Sequence, residues 1–273
     1  MSKVRLDMEM AARGLCPSRE KARALILAGE VRVNGVRAEK AGQEIVPDAE
    51  IVIVEDAIPF VSRGGLKLDK AVHTFPIDLN GRVCADIGAS TGGFTDVMLK
   101  NGAKHVYSID VGYGQLDWSL RNDPRVTVME RTNARFMTPD WFQEPITFAS
   151  IDVSFISLRL ILPPLFLSMA EEGEAVALIK PQFEAGRAEI GKNGVVRDAA
   201  VHERVIREIL TFAEETGFTV EGLSFSPITG PKGNIEFLLY IRKGGPKNDA
   251  SLHKISEEVP IIVKNAHVLD KNS

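Results

Sequence analysis

From Arg82 onward the chain repeats one pattern: an apolar run, a stretch with apolar residues at helical spacing, then another apolar run. Runs at 82–87, 104–109, 125–129, 146–151, 174–179, 219–226 and 235–242 read as strands. Apolar strands alternating with amphipathic helices bury both faces of a sheet, which requires mostly parallel strands joined by crossover helices. The pattern predicts a doubly wound α/β sheet of about seven strands, the last two being antiparallel candidates. With 44% of its 273 residues hydrophobic, the chain can also bury a second, smaller core.

No stretch approaches the roughly 18 consecutive apolar residues of a membrane span. The start, Met-Ser-Lys-Val-Arg-Leu-Asp, lacks the apolar core of a signal peptide. No membrane partner and a cytoplasmic location are expected. Cys16 and Cys84 are far apart and lack the spacing of a metal site, so neither a disulfide framework nor a structural metal is expected.

Ahead of the sheet, Leu6 to Ala12 reads as a short helix stopped by Gly14. Pro17-Ser18 opens a second helix, with Ser18 as N-cap and Gly29 as its C′ residue. Ala22, Leu25 and Ile26 share the inward face of that helix, and Arg19, Lys21 and Arg23 project elsewhere. Val31 to Val36 alternates apolar and polar residues around Asn34-Gly35, a tight hairpin signal, and Ile51 to Val54 closes the unit as another strand. The whole chain carries a net charge of −4, yet residues 1–40 hold nine Lys/Arg against five acids. Nucleic-acid binding depends on such local excess rather than on the total.

The segment G-L-C-P-S-R-E-K-A-R-A-L-I-L-A-G-E-V-R-V-N-G resembles the RNA-binding domain first described in ribosomal protein S-four. That resemblance implies RNA contacts from Arg5, Arg19, Lys21 and Arg23. A merely solvated helix face is the alternative that a charge run alone would leave open.

Val83 to Phe94 forms a strand, a glycine-rich turn and the start of a helix, written D-I-G-A-S-T-G-G-F from Asp86. Ser90 stands where a dinucleotide fingerprint would have its second glycine, which disfavours close approach by a pyrophosphate, and the D-x-G-x-x-x-G-G form suits a methionine-type ligand better. Asp110 ends the next strand, where a carboxylate can accept hydrogen bonds from both ribose hydroxyls of an adenosine. Candidate cofactor contacts are therefore Asp86, Gly88, Ser90, Thr91, Gly92, Gly93 and Asp110.

Three charges interrupt or end apolar strands: Asp152 after Ile151, Lys180 after Ile179, and Glu236 within Ile235 to Leu239. Buried charges need partners. If the strands before Asp152 and Lys180 are parallel neighbours, the two side chains emerge together at the carboxyl edge, where open α/β sheets bind ligands. A structural ion pair there is the plain alternative.

Taken together, R-G-G-L-K-L, D-I-G-A-S-T-G-G-F-T, I-D-V-S-F-I-S, K-P-Q-F-E and G-P-K-G-N-I-E-F resemble the TlyA family, from about residue 3 to residue 243. The resemblance implies an S-four-type RNA-binding domain over 1–57, a linker and lead-in helix over 58–81, and a Rossmann-like, FtsJ-like methyltransferase domain over 82–243. Residues 244–273 form a tail without a functional reading. It further implies S-adenosylmethionine as cofactor, ribosomal RNA or ribosomal subunits as partner, and 2′-O-methylation of ribose, at 16S and/or 23S cytidines. The family's Lys-Asp-Lys-Glu tetrad falls on Lys67, Asp152, Lys180 and Glu236.

A ribose hydroxyl is a weak nucleophile, so positioning and removal of one proton are the tasks, and neither needs a metal. Lys180 is the candidate base. Lys67 would lower its pKa, while Asp152 and Glu236 would raise it and hold its orientation. A pseudouridine synthase also carries S-four-type modules, but its catalytic domain is mostly β. A haemolytic pore has no apolar span or long barrel pattern here to build on. A non-catalytic RNA-binding protein would have no use for the complete tetrad.

Overall fold

The computed structural model describes residues 3–28, 30–53, 59–230, 232–245 and 249–272. The chain divides into two compact units, Met1–Arg63 and Gly64–Ser273, each with its own apolar core.

The first unit runs β1 (Val4–Arg5), α1 (Leu6–Ala12), α2 (Arg19–Ala28), β2 (Val31–Val33), β3 (Val36–Arg37), β4 (Glu44–Ile45) and β5 (Ile51–Ile53). Helix α1 stops where Gly14 takes φ +70°, a conformation costly for any residue with a Cβ. The Ser18 hydroxyl accepts the Lys21 backbone N–H at 3.1 Å, which makes it the N-cap of α2. Asn34 and Gly35 both have positive φ, as a two-residue hairpin turn requires, and Val33 pairs with Val36 across it. Strand β5 pairs with the other side of β2. Leu6, Met10, Ala22, Ile26, Val31 and Ile45 fill the core. The β1–β4 pair has no counterpart in the sequence reading, because a two-residue strand is too short to carry an alternation. Gly29, Val54 and the boundary expected between 57 and 58 lie outside the described residues.

The second unit holds α3 (Gly65–Thr74), β6 (Val83–Ile87), α4 (Gly93–Lys100), β7 (His105–Ile109), α5 (Trp118–Arg121), β8 (Val126–Met129), β9 (Ile146–Ile151), α6 (Leu162–Ser168), β10 (Met169–Ile179), α7 (Pro181–Glu184), α8 (Ala199–Thr216), β11 (Phe218–Phe225), β12 (Phe237–Lys243) and α9 (Asp249–Asn272). Its seven strands form one sheet in the order β11-β12-β10-β9-β6-β7-β8. The strands from β10 to β8 are parallel, and β12 runs antiparallel to both of its neighbours. All seven expected runs are strands. Strand β10 starts earlier than expected, at Met169, through a register shift between Met169 and Glu174.

From β6 the chain moves outward through β7 and β8, then returns to β9 on the opposite side of β6. The strand order therefore reverses between β6 and β9, and a reversal of this kind opens a crevice at the carboxyl ends of those strands. Most of the tail that sequence left without a role forms α9. Ile255, Val259, Val263 and Ala266 of this helix are buried in the sheet's core, so α9 is part of the second unit. Buried His202 joins it there, with Nδ1 3.0 Å from His267 Nε2 and Nε2 3.1 Å from the Val196 carbonyl.

Candidate active site

Asp152 follows β9 and Lys180 follows β10, and these strands are parallel neighbours with Ala177 opposite Ile151. Both side chains therefore leave the sheet at the same edge. Glu236 directly precedes β12, whose antiparallel pairing sets Phe237 opposite Ile179, so the start of that strand meets the end of β10. Lys67 reaches the group from the first turn of α3.

The Asp152 carboxylate bridges both lysines: Oδ1 lies 2.5 Å from Lys180 Nζ and Oδ2 lies 3.3 Å from Lys67 Nζ. Lys67 also donates to Glu236 Oε2 at 2.6 Å, and Lys180 donates to Ser154 Oγ at 3.2 Å. Lys67, Lys180 and Glu236 are buried. Burial by itself would lower the pKa of Lys67, but Asp152 and Glu236 outweigh it and raise that pKa. Burial likewise opposes the Asp152 charge, and the two lysines overcome it and lower its pKa. The expectation that both carboxylates hold Lys180 needs correction. Glu236 is hydrogen-bonded to Lys67, and Asp152 alone joins the two cations.

At the turn after β6, Gly88 has φ +89°, and a Cβ there would stand 2.6 Å from the Asp152 carbonyl oxygen. The bare backbone lets the ends of β6 and β9 close on each other. Asp110, just past β7, accepts the Ser90 N–H through Oδ2 at 2.8 Å and the Gly112 N–H through Oδ1 at 2.6 Å. Together these loops enclose a cavity of about 520 Å³, lined among others by Gly88, Ser90, Asp110, Asp152, Ser154 and Phe155.

Other predicted contacts lie elsewhere. Asp86 is fully buried beneath the turn. Its Oδ2 accepts from the Thr95 N–H and hydroxyl at 2.9 and 2.7 Å, and its Oδ1 accepts from Ser150 Oγ at 3.2 Å. Burial pushes its pKa up to about 7 despite those bonds. A Cβ on Gly92 would strike Leu116 and Leu120, so this glycine makes room for packing. Thr91 accepts the Asp117 N–H on its carbonyl, and Gly93 begins α4. None of these four residues lines the cavity.

The cavity also takes Gln115, Thr132, Asn133 and Ala134 from the loops after β7 and β8, which sequence reasoning did not single out. Nothing in loop composition signals them. Phe155 went unassigned within I-D-V-S-F-I-S. It is 91% exposed, has φ +63°, and places its ring centroid 5.1 Å from that of Phe183.

In the first unit, Arg5 and Arg19 converge on the buried carboxylate of Asp7, at 2.9 and 3.0 Å. The Arg5 hydrogen bond is the largest influence on Asp7, and together with Arg19 it pulls the pKa down to about 2. Lys21 and Arg23 are exposed. Among the described residues no helix is long and apolar enough to cross a membrane.

The profile of FtsJ-like methyltransferases matches residues 60–243, and that of the S4 domain matches residues 4–51. YqxC of Bacillus subtilis, provisionally named an rRNA methyltransferase, is 49% identical over 97% of this chain and 94% of its own length. The 16S/23S rRNA (cytidine-2′-O)-methyltransferase TlyA of Mycobacterium tuberculosis is 45% identical over 88% of this chain and 90% of its own. A solved structure from Streptococcus thermophilus, provisionally named a hemolysin, is 47% identical, covers 100% of this chain and 98% of its own, and superposes with a TM-score of 0.79.

Proposed function

The chain belongs to the TlyA family, which joins an S4 domain to an FtsJ-like methyltransferase domain, and on that premise we propose that it methylates ribose 2′-hydroxyls of ribosomal RNA. The observation that carries this reading is the position of Asp152, which lines the cavity and also holds Lys180 and Lys67. A ligand in the cavity and a nucleotide beside Lys180 would meet at one carboxylate.

The residues present fit S-adenosylmethionine. The close approach at Gly88 leaves no room for a side chain, and each Asp110 oxygen keeps a lone pair beyond its backbone hydrogen bond, enough for two ribose hydroxyls. Ile87, Ile109, Val111, Ile156 and Ile161 supply apolar wall for a purine ring. When bound, the cofactor supplies an electrophilic methyl group on a sulfonium.

Lys180 accepts the 2′-hydroxyl proton as the oxygen attacks. Lys67, doubly paired and with its pKa raised, stays charged and anchors Asp152. Phe155 offers an open ring face on which the target base stacks. Lys21 and Arg23, with whatever donors Arg5 and Arg19 have left beyond Asp7, contact RNA phosphates from the S4 unit. Following the named activity of the mycobacterial relative, the target is a cytidine of 16S or 23S rRNA.

Purified protein, S-adenosylmethionine and unmodified ribosomal subunits should yield a 2′-O-methylated cytidine by mass mapping of the rRNA. Methylation on a base, or none on either subunit, would overturn this reading.

A further inference from the structure

We propose that Ser154 is a positioning residue that sets the direction of the Lys180 lone pair; this rests on Lys180 being the proton acceptor, as argued above. A neutral amine has two N–H bonds and one lone pair, arranged tetrahedrally with Cε. It removes a proton only if the lone pair, and not an N–H, faces the hydroxyl. Lys180 Nζ has two acceptors close by, Asp152 Oδ1 at 2.5 Å and Ser154 Oγ at 3.2 Å. Asp152 alone would leave the amine free to rotate about Cε–Nζ, with the lone pair shared between two staggered directions. With both N–H bonds committed, one direction remains.

Ser154 is held where this requires. The Ser157 hydroxyl and the Leu158 N–H both donate to Glu184, at 2.6 and 2.7 Å. These bonds tie the loop after β9 to α7, the helix that begins immediately after Lys180. The Ser154–Lys180 distance is thus restrained through both chain segments. Ser154 and Asp152, the two acceptors of the amine, both line the cavity. Among the described residues, Lys180 is ion-paired with Asp152, which is in turn paired with Lys67 and through it with Glu236, and the Phe183 ring lies 5.9 Å away on α7.

In the step itself the 2′-O–H bond breaks and its proton moves to the Lys180 lone pair, giving an ammonium. The oxygen forms a bond to the methyl carbon, and the carbon–sulfur pair leaves with sulfur as a neutral thioether. Two of the ammonium N–H bonds still point at Asp152 and Ser154, and the new proton later passes to water.

The test compares Ser154→Ala and Ser154→Thr with the parent in two measurements. In rRNA methylation, Ser154→Ala should lower kcat roughly tenfold, the effect of one lost orienting hydrogen bond, with KM unchanged. The acid limb of its kcat profile should move to lower pH, because an acceptor that stabilises the ammonium is gone. In cofactor-free protein labelled with 15N-lysine, the Lys180 Nζ titration read by NMR should move the same way. Ser154→Thr keeps the hydroxyl and should restore all three. A change in KM alone would make Ser154 an RNA contact, and a threonine variant as impaired as alanine would make it structural; either result overturns the proposal. If the parent does not methylate rRNA at all, the functional reading fails, and an unmoved 15N titration then overturns the Ser154 assignment independently.

Discussion

Lys180 Nζ lies 2.5 Å from Oδ1 of Asp152, on the side of that carboxylate away from its contact with Lys67. The two lysines are thereby unequal. Each has one oxygen of Asp152; Lys67 has the Glu236 carboxylate besides, whereas Lys180 has a serine hydroxyl.

Lys180→Ala should lower methyl transfer by about two to four orders of magnitude, the usual contribution of a positioned base. Lys180→Arg should be nearly as inactive, since a guanidinium with a pKa above about 12 keeps its proton. Asp152 retains Lys67 in both variants, so thermal melts and cofactor binding should stay near parental. A folded, cofactor-competent Lys180→Ala that methylates at the parental rate would show that the proton leaves to water.

Asp110→Ala should weaken S-adenosylmethionine binding by roughly 1.5 to 3 kcal/mol, the range of a hydrogen bond to a charged group. The same carboxylate pins the Ser90 and Gly112 N–H groups, so the loss also loosens the turn above the cavity. Calorimetry reads the affinity. Binding of NAD by the parent as tightly as S-adenosylmethionine would sink the cofactor assignment.

Gly88→Ala combines two penalties, a positive φ and a Cβ at 2.6 Å from the Asp152 carbonyl. The strain should cost about 1 to 3 kcal/mol of stability. Because the atom that must move belongs to Asp152, methylation at a temperature where the variant remains folded should fall as well. Parental activity in a stably folded Gly88→Ala would mean that the close approach of β6 and β9 does not matter to the site.

Asp86 gives a pH signature that should be separable from catalysis. Its folded pKa of about 7 exceeds that of an exposed carboxyl, so between about pH 4 and 7 the folded state holds a proton that the unfolded state has lost. Stability should therefore decline as pH rises through that window, by about 1.4 kcal/mol per pH unit at most, and level off above it. Asp86→Asn can still accept from Thr95 and donate to Ser150, and should remove the decline. Parallel melting-temperature profiles for parent and variant would count against a protonated Asp86.

Asp7 should behave in the opposite sense. With its folded pKa near 2, its ion pairs stabilise the first unit at neutral pH, and that contribution is lost as pH falls from about 4 toward 2. Asp7→Ala should cost roughly 1 to 3 kcal/mol, limited by the half-exposed arginine partners. Lys21→Ala and Arg23→Ala should reduce RNA affinity and flatten its salt dependence at little cost in stability. Arg5→Ala and Arg19→Ala should affect both. Equal melting temperatures across all four cation variants would remove the distinction.

Local regularities were legible in the sequence because they depend on neighbours along the chain. Apolar runs marked all seven strands of the sheet, Ser18 its helix cap and Asn34-Gly35 its hairpin. Register, burial and pairing belong to segments far apart in sequence, and only the tertiary structure decided them. It gave Glu236 to Lys67 across 169 positions, placed Asp86 beneath the cavity instead of in its wall, and drew two arginines onto Asp7. It also packed the tail helix into the sheet's core, which its interrupted pattern Val259-Pro260-Ile261-Ile262-Val263 did not reveal. A charged side chain shows in sequence that it will need a partner, but which partner it meets depends on how the strands align.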